Sequence, residues 1–166
     1  EALKRELYSV ETKPSVTVEN TPQFDDNAGD KTAIAARFIL ASYLFNKSCA
    51  KETDIREIEF EIPAHREIKD YIISRQNQGE RPQFTDLYET VTEEDCDELS
   101  RIAGMEAEEN KSFDQDVYFF DCVRTLKKSA IDKKINALSK MFSQETDNEK
   151  RRELTAEITK LLAKKM

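Results

Sequence analysis

Glycine is almost missing: Gly29, Gly79 and Gly104 are the only three in 166 residues. An all-β fold needs a turn every few residues, so it is excluded. A phosphate-cradling loop needs clustered glycines, so nucleotide-loop chemistry is excluded too. The three cysteines, Cys49, Cys96 and Cys122, lie far apart and are odd in number. Without a C-x-x-C spacing they predict neither a zinc site nor a disulfide framework, and reduced cytoplasmic thiols are the default. His65 is the single histidine. It has no nucleophile in a recognisable motif beside it, and its place in the first turn of a helix beside Arg66 favours a structural or surface role. No His-x-x-x-His, EF-hand loop or run of 18 apolar residues occurs. The expectation is therefore no catalytic residue, no metal, no cofactor, no small-molecule substrate and no membrane span.

Charge is what the chain has in quantity. Charged residues make up 36% and apolar ones 38%, enough for one core beneath a heavily charged surface. The net charge of −8 is unevenly spread: residues 1–123 sum to −14 and residues 124–166 to +6. An acidic body repels phosphate, which disfavours nucleic acid along it. A basic arm suits an acidic protein surface. The lysines at 127, 128, 133, 134 and 140 offer nucleic acid as the alternative partner, against the plainer reading of a solvated helix face.

The last third organises the rest. From Asp114 to Phe142 there is no Gly or Pro, and Ile131, Ile135, Leu138 and Phe142 form a narrow seam. A polar break follows at Ser143–Thr146, with Thr146 and Glu149 spaced as a capping box. Leu154, Ile158 and Leu161 repeat the seam beyond it. Two seams joined by a short turn predict an antiparallel helical hairpin.

Upstream, residues 1–30 read as a polar, acidic, disordered linker, and the start without Met is what a piece of a longer protein would show. Asp30 is placed to cap a helix over Thr32–Phe45, apolar around most of its circumference and so central in a bundle. A short turn at Ser48–Glu52 follows. The alternation of Ile58, Phe60 and Ile62 resembles a strand with nothing to pair with. Pro63 suits the first turn of a helix over Ala64–Gln78 that Gly79 ends. Short helices are expected from Phe84 to Val91 and from Thr92, with Asp95 completing a weak capping box, to Gly104. After an acidic loop at Met105–Lys111, Ser112 with Gln115 is placed to cap the long helix. Its first turns are expected to pack Val117, Phe119, Phe120, Val123 and Leu126 onto the bundle. The fold class is all-α: a small helical bundle over 31–126, then a C-terminal hairpin over 127–166.

Four pieces in this order carry a resemblance. They are Ala36-Arg37-Phe38-Ile39-Leu40-Ala41, then Ile62-Pro63-Ala64-His65-Arg66 running on to Tyr71-Ile72 and Gly79. Val117-Tyr118-Phe119-Phe120-Asp121-Cys122-Val123 follows, and last Glu149-Lys150-Arg151-Arg152-Glu153-Leu154. Across residues 31–166 the chain resembles the C-terminal helicase-interaction domain of bacterial, DnaG-type primase. That resemblance implies a non-catalytic module, with the zinc-binding and RNA-polymerising parts upstream. It also implies a hairpin that docks on the N-terminal domains of the hexameric replicative helicase, recruiting primer synthesis to the fork in the cytoplasm. The N-terminal domain of that helicase has a similar fold and is the alternative; the acidic linker and the Lys-rich end favour primase. Contact with the helicase is expected from Arg152, Lys160, Leu161, Leu162 and Lys164. Leu162 stands about 100° off the seam, where it either acts as an exposed apolar anchor or simply widens the seam.

Overall fold

In the computed structural model, residues 31–106 and 114–165 are described. Their regular structure is helical throughout, in six α-helices with two short 3-10 turns between the first two. The helices are α1 (Lys31–Leu44), α2 (Pro63–Asn77), α3 (Phe84–Thr90), α4 (Glu93–Gly104), α5 (Gln115–Gln144) and α6 (Asn148–Lys165). The expected all-α bundle with a long helix and hairpin is the architecture found. Asp30, the linker over 1–30 and most of the acidic loop lie outside the described residues.

Helix α1 is the centre. All ten residues from Ala35 to Leu44 are buried, as expected for a sequence apolar on nearly every side. It packs against α2, α4, α5 and the 3-10 turn Cys49–Glu52. Aromatic contacts tie it to α5 and α3. Phe38 meets Tyr118 edge-on at 4.7 Å, and Phe45 stacks on Phe84 at 5.7 Å. Tyr43 donates to the Thr53 carbonyl at 2.6 Å. Burial, helped by the nearby Asp54 charge, holds its phenol protonated well above the ordinary range. Burial likewise raises the Cys49 thiol to about 11 and the Cys122 thiol to about 12, so both are unreactive at neutral pH.

The stretch from Ile58 to Ile62 stays unpaired, as its lack of a partner required. Ile58 and Phe60 turn inward while Glu57, Glu59 and Glu61 face out. Lys69 on α2 donates to the backbone carbonyls of Ile58 and Arg56 at 2.7 and 3.3 Å, so a side chain supplies what a neighbouring strand would have given. Pro63 opens α2. Gly79 closes it at φ +72°, with Gly79 N–H on the Gln76 carbonyl and Glu80 N–H on Arg75, the paired bonds of a Schellman turn.

Three helix starts differ from expectation. Thr92 precedes α4, but its hydroxyl donates to the Asp95 carboxylate at 2.6 Å and caps no backbone N–H. Ser112 lies outside the described residues; Asp114 caps α5, accepting from Asp116 and Val117 N–H. Helix α5 runs on to Gln144, so the break is Glu145–Asp147, and Asp147, not Thr146, accepts from Glu149 N–H at 2.9 Å. At α4 a side-chain pair, and at α6 an aspartate nearer the first turn, outcompetes the spaced hydroxyl.

Helix α5 serves two cores. Phe119, Cys122, Val123 and Leu126 are buried in the bundle. Val117 and Phe120, also expected inside, are 57% and 37% exposed, because α1 covers only one face of α5. Beyond Leu126, the half-buried Ile131, Ile135, Leu138 and Phe142 meet Leu154, Ile158 and Leu161 of α6. Lys165 pairs with Asp132 at 2.5 Å, fixing the antiparallel direction. The helix is unbroken through Ser129–Ala130 and about 45 Å long.

Three of the five lysines in the basic run on α5 are paired within the chain. Lys127 pairs with Glu57 at 3.1 Å, Lys134 with Glu59 at 2.6 Å, and Lys133 with Glu61. An extended chain presents every second side chain on one side, so three glutamates two apart meet Lys127 and, about two helical turns on, the adjacent Lys133 and Lys134. This ladder ties the base of the hairpin to the bundle.

Each rung is exposed and contributes less than about 1 kcal/mol, screened by salt. Combined Glu57→Gln, Glu59→Gln and Glu61→Gln should lower the melting temperature slightly at low salt and not at 1 M NaCl, measured by calorimetry. Phe119→Ala should cost about 3–5 kcal/mol in urea unfolding, since Phe119 has no exposed surface.

Candidate functional site

Two places hold polar chemistry: a buried cluster inside the bundle and the outer faces of the hairpin. The cluster joins three helices. Arg37, facing inward with the apolar residues of α1, puts Nε on Glu98 Oε1 at 2.5 Å and Nη2 on Oε2 at 3.1 Å. His65, in the first turn of α2, has Nε2 2.6 Å from the same Oε1. Arg37 and His65 are 4% and 0% exposed. Arg101 reaches Glu98 from the surface at 3.4 Å.

Burial by itself would raise the Glu98 carboxyl, but hydrogen bonds from Arg37 and His65, with their charges, outweigh it and hold it below the usual range. Glu98 is then an acceptor only, so His65 Nε2 carries the hydrogen and Nδ1 is bare. Burial lowers the His65 pKa, and the Arg37 charge adds to this; the Glu98 interaction opposes it without prevailing. Nδ1 has no hydrogen-bond partner among the described residues. No serine or cysteine nucleophile is bonded to the ring, and no group of His, Cys, Asp or Glu among the described residues has the arrangement of a metal site. Of the structural and surface positions expected for His65, it takes the buried one, bonded to Glu98.

The hairpin carries a different kind of surface. Helix α6 packs chiefly on α5 and buries no residue fully. Arg152, Lys160 and Lys164 are exposed, and among the described residues none of them pairs with a carboxylate. Leu162 is 47% exposed. Leu161 is half-buried in the seam, where contact with α5 occupies it. These residues form no single cluster: Arg152 stands about 15 Å along the axis from Leu162. On α5, Met141 adds a second exposed apolar side chain at 56%.

Glu98 was not singled out from the sequence, nor were Glu57, Glu59 and Glu61. A signal existed for each. An arginine inside an otherwise apolar stripe requires a carboxylate, and glutamates at every second position offer one charged side to the lysines of α5. Arg151, also unremarked, lies over the Phe142 ring at 4.5 Å from its centroid.

Glu98→Ala should destabilise by about 3–5 kcal/mol, because it strands a buried guanidinium. Acid should do the same by degrees. The unfolded chain protonates His65 near its ordinary value of about 6.5 while the folded chain resists, so stability falls as pH drops below that point. The Glu98 contribution goes later, as pH falls through its lowered folded pKa. His65→Leu should flatten the change in denaturation midpoint between pH 7 and 5. An unchanged slope would assign the acid sensitivity elsewhere.

No protein family, curated protein or solved structure matches the chain, so the residues themselves carry the functional reading.

Proposed function

We propose that this chain is a non-catalytic docking module that binds the replicative DNA helicase for a bacterial primase. The observation that carries the reading is an unbroken α5. It leaves a small bundle and ends in an antiparallel hairpin on which the exposed Arg152, Lys160 and Lys164 pair with no carboxylate among the described residues. A hairpin seam consumes its own apolar residues, so what remains outside for a partner is charge with isolated apolar points. Leu162 and Met141 supply those points. The order of the four sequence pieces supports the primase assignment, and the partner surface it implies is the N-terminal region of the helicase hexamer. The nucleic-acid alternative loses support from the ladder, which occupies Lys127, Lys133 and Lys134 in cis.

Calorimetric titration against the cognate helicase tests the reading. Lys160→Glu with Lys164→Glu should weaken binding about tenfold or more, and Leu162→Ala by a similar factor, with circular dichroism unchanged. Deleting residues 143–166 should abolish binding. Full affinity in the charge-reversed protein would remove the electrostatic part of the proposal, and no binding by the intact chain would remove all of it.

A further inference from the structure

We infer that the groove at the tip of the hairpin receives a carboxylate-bearing segment of a protein partner. The inference deepens the docking role proposed above and rests on it for the partner's identity only.

The groove lies where α5 ends and α6 begins, with Phe142, Arg151, Arg152 and Ala156 along it. Its floor is apolar: the ring of Phe142 and the methyl of Ala156. Its charge comes from two guanidinium groups. Arg151 is held over the Phe142 ring, a cation–π contact that limits its rotamers before anything binds. A side chain ordered beforehand loses less entropy on binding. Neither arginine pairs with a carboxylate among the described residues, although Lys127, Lys133, Lys134 and Lys165 on the same hairpin all do. The planar fork of a guanidinium matches a carboxylate through two parallel hydrogen bonds.

Phosphate offers the same charge, but a nucleic-acid strand needs cations continuing along its path. Here three of the five lysines along α5, Lys127, Lys133 and Lys134, are taken by Glu57, Glu61 and Glu59, and the body beyond is acidic. Arg151 already occupies one face of Phe142, the aromatic residue of the groove, and a base stacking on that face would have to displace it. An acidic peptide with an apolar side chain beside its carboxylate satisfies both the floor and the two guanidiniums.

The test is NMR titration of the whole chain with three probes: a short peptide of Glu and Leu, the same peptide with Gln for Glu, and a single-stranded oligonucleotide of equal charge. Saturable shifts at the Arg151 and Arg152 Nε–H groups and the Phe142 ring are expected with the Glu peptide alone. Arg152→Gln and Arg151→Lys should each weaken that binding about tenfold, with circular dichroism unchanged. Shifts scattered over other cations, equal binding of the Gln peptide, or tighter binding of the oligonucleotide at these residues would overturn the inference. A parallel titration with the helicase separates the two proposals. Peptide bound in the groove by a chain that ignores the helicase overturns the helicase role alone. Helicase bound, with no peptide shift at either arginine, overturns the groove alone.

Discussion

One carboxylate sets the arrangement of the bundle. Helix α1 is enclosed over ten consecutive residues, and Arg37 lies in the middle of that run. A guanidinium there cannot reach bulk water, so it must be met inside. Glu98 meets it through both oxygens and takes the His65 ring on one of them. The net stability of such a cluster is small, because desolvating the charges offsets most of their attraction. Its effect is directional. Only the register that brings α2 and α4 together at Arg37 leaves no buried charge alone, so competing packings of the same apolar faces are disfavoured.

From that core the structure extends through α5. The helix gives its first turns to the bundle and its later turns to the seam with α6, without a break between them. Continuity alone leaves a long helix free to bend. The ladder from Glu57, Glu59 and Glu61 to the lysines of α5 sits where bending would begin, just past the last buried residue, Leu126. The hairpin is thus aimed by two weak devices, a shared helix and exposed ion pairs. A hairpin held this way has a preferred direction and keeps the means to adjust it.

The same pairing sorts the cations. Lys127, Lys133 and Lys134 near the bundle and Lys165 at the end of α6 are neutralised within the chain, while Arg152, Lys160 and Lys164 meet no carboxylate among the described residues. Net charge could not reveal this division. It gave an acidic body and a basic arm, which is correct as a sum and silent about which lysines are already satisfied.

Local chemistry written in the sequence was sufficient for the elements themselves. The all-round apolar α1, the Pro63 start and Gly79 end of α2, and the seams at Ile131–Phe142 and Leu154–Leu161 depend only on neighbours one or two turns away, so periodicity and backbone preference determined them. Helix starts were less legible, because a hydroxyl and a nearby aspartate compete for the same N–H groups within a few residues. Glu98 as the partner of Arg37 and His65, the glutamate rungs on α5, and the exposure of Val117 and Phe120 were decided by tertiary structure alone. Each of these depends on which face of one element meets another, at sequence separations where charge and spacing admit many partners and only packing selects one.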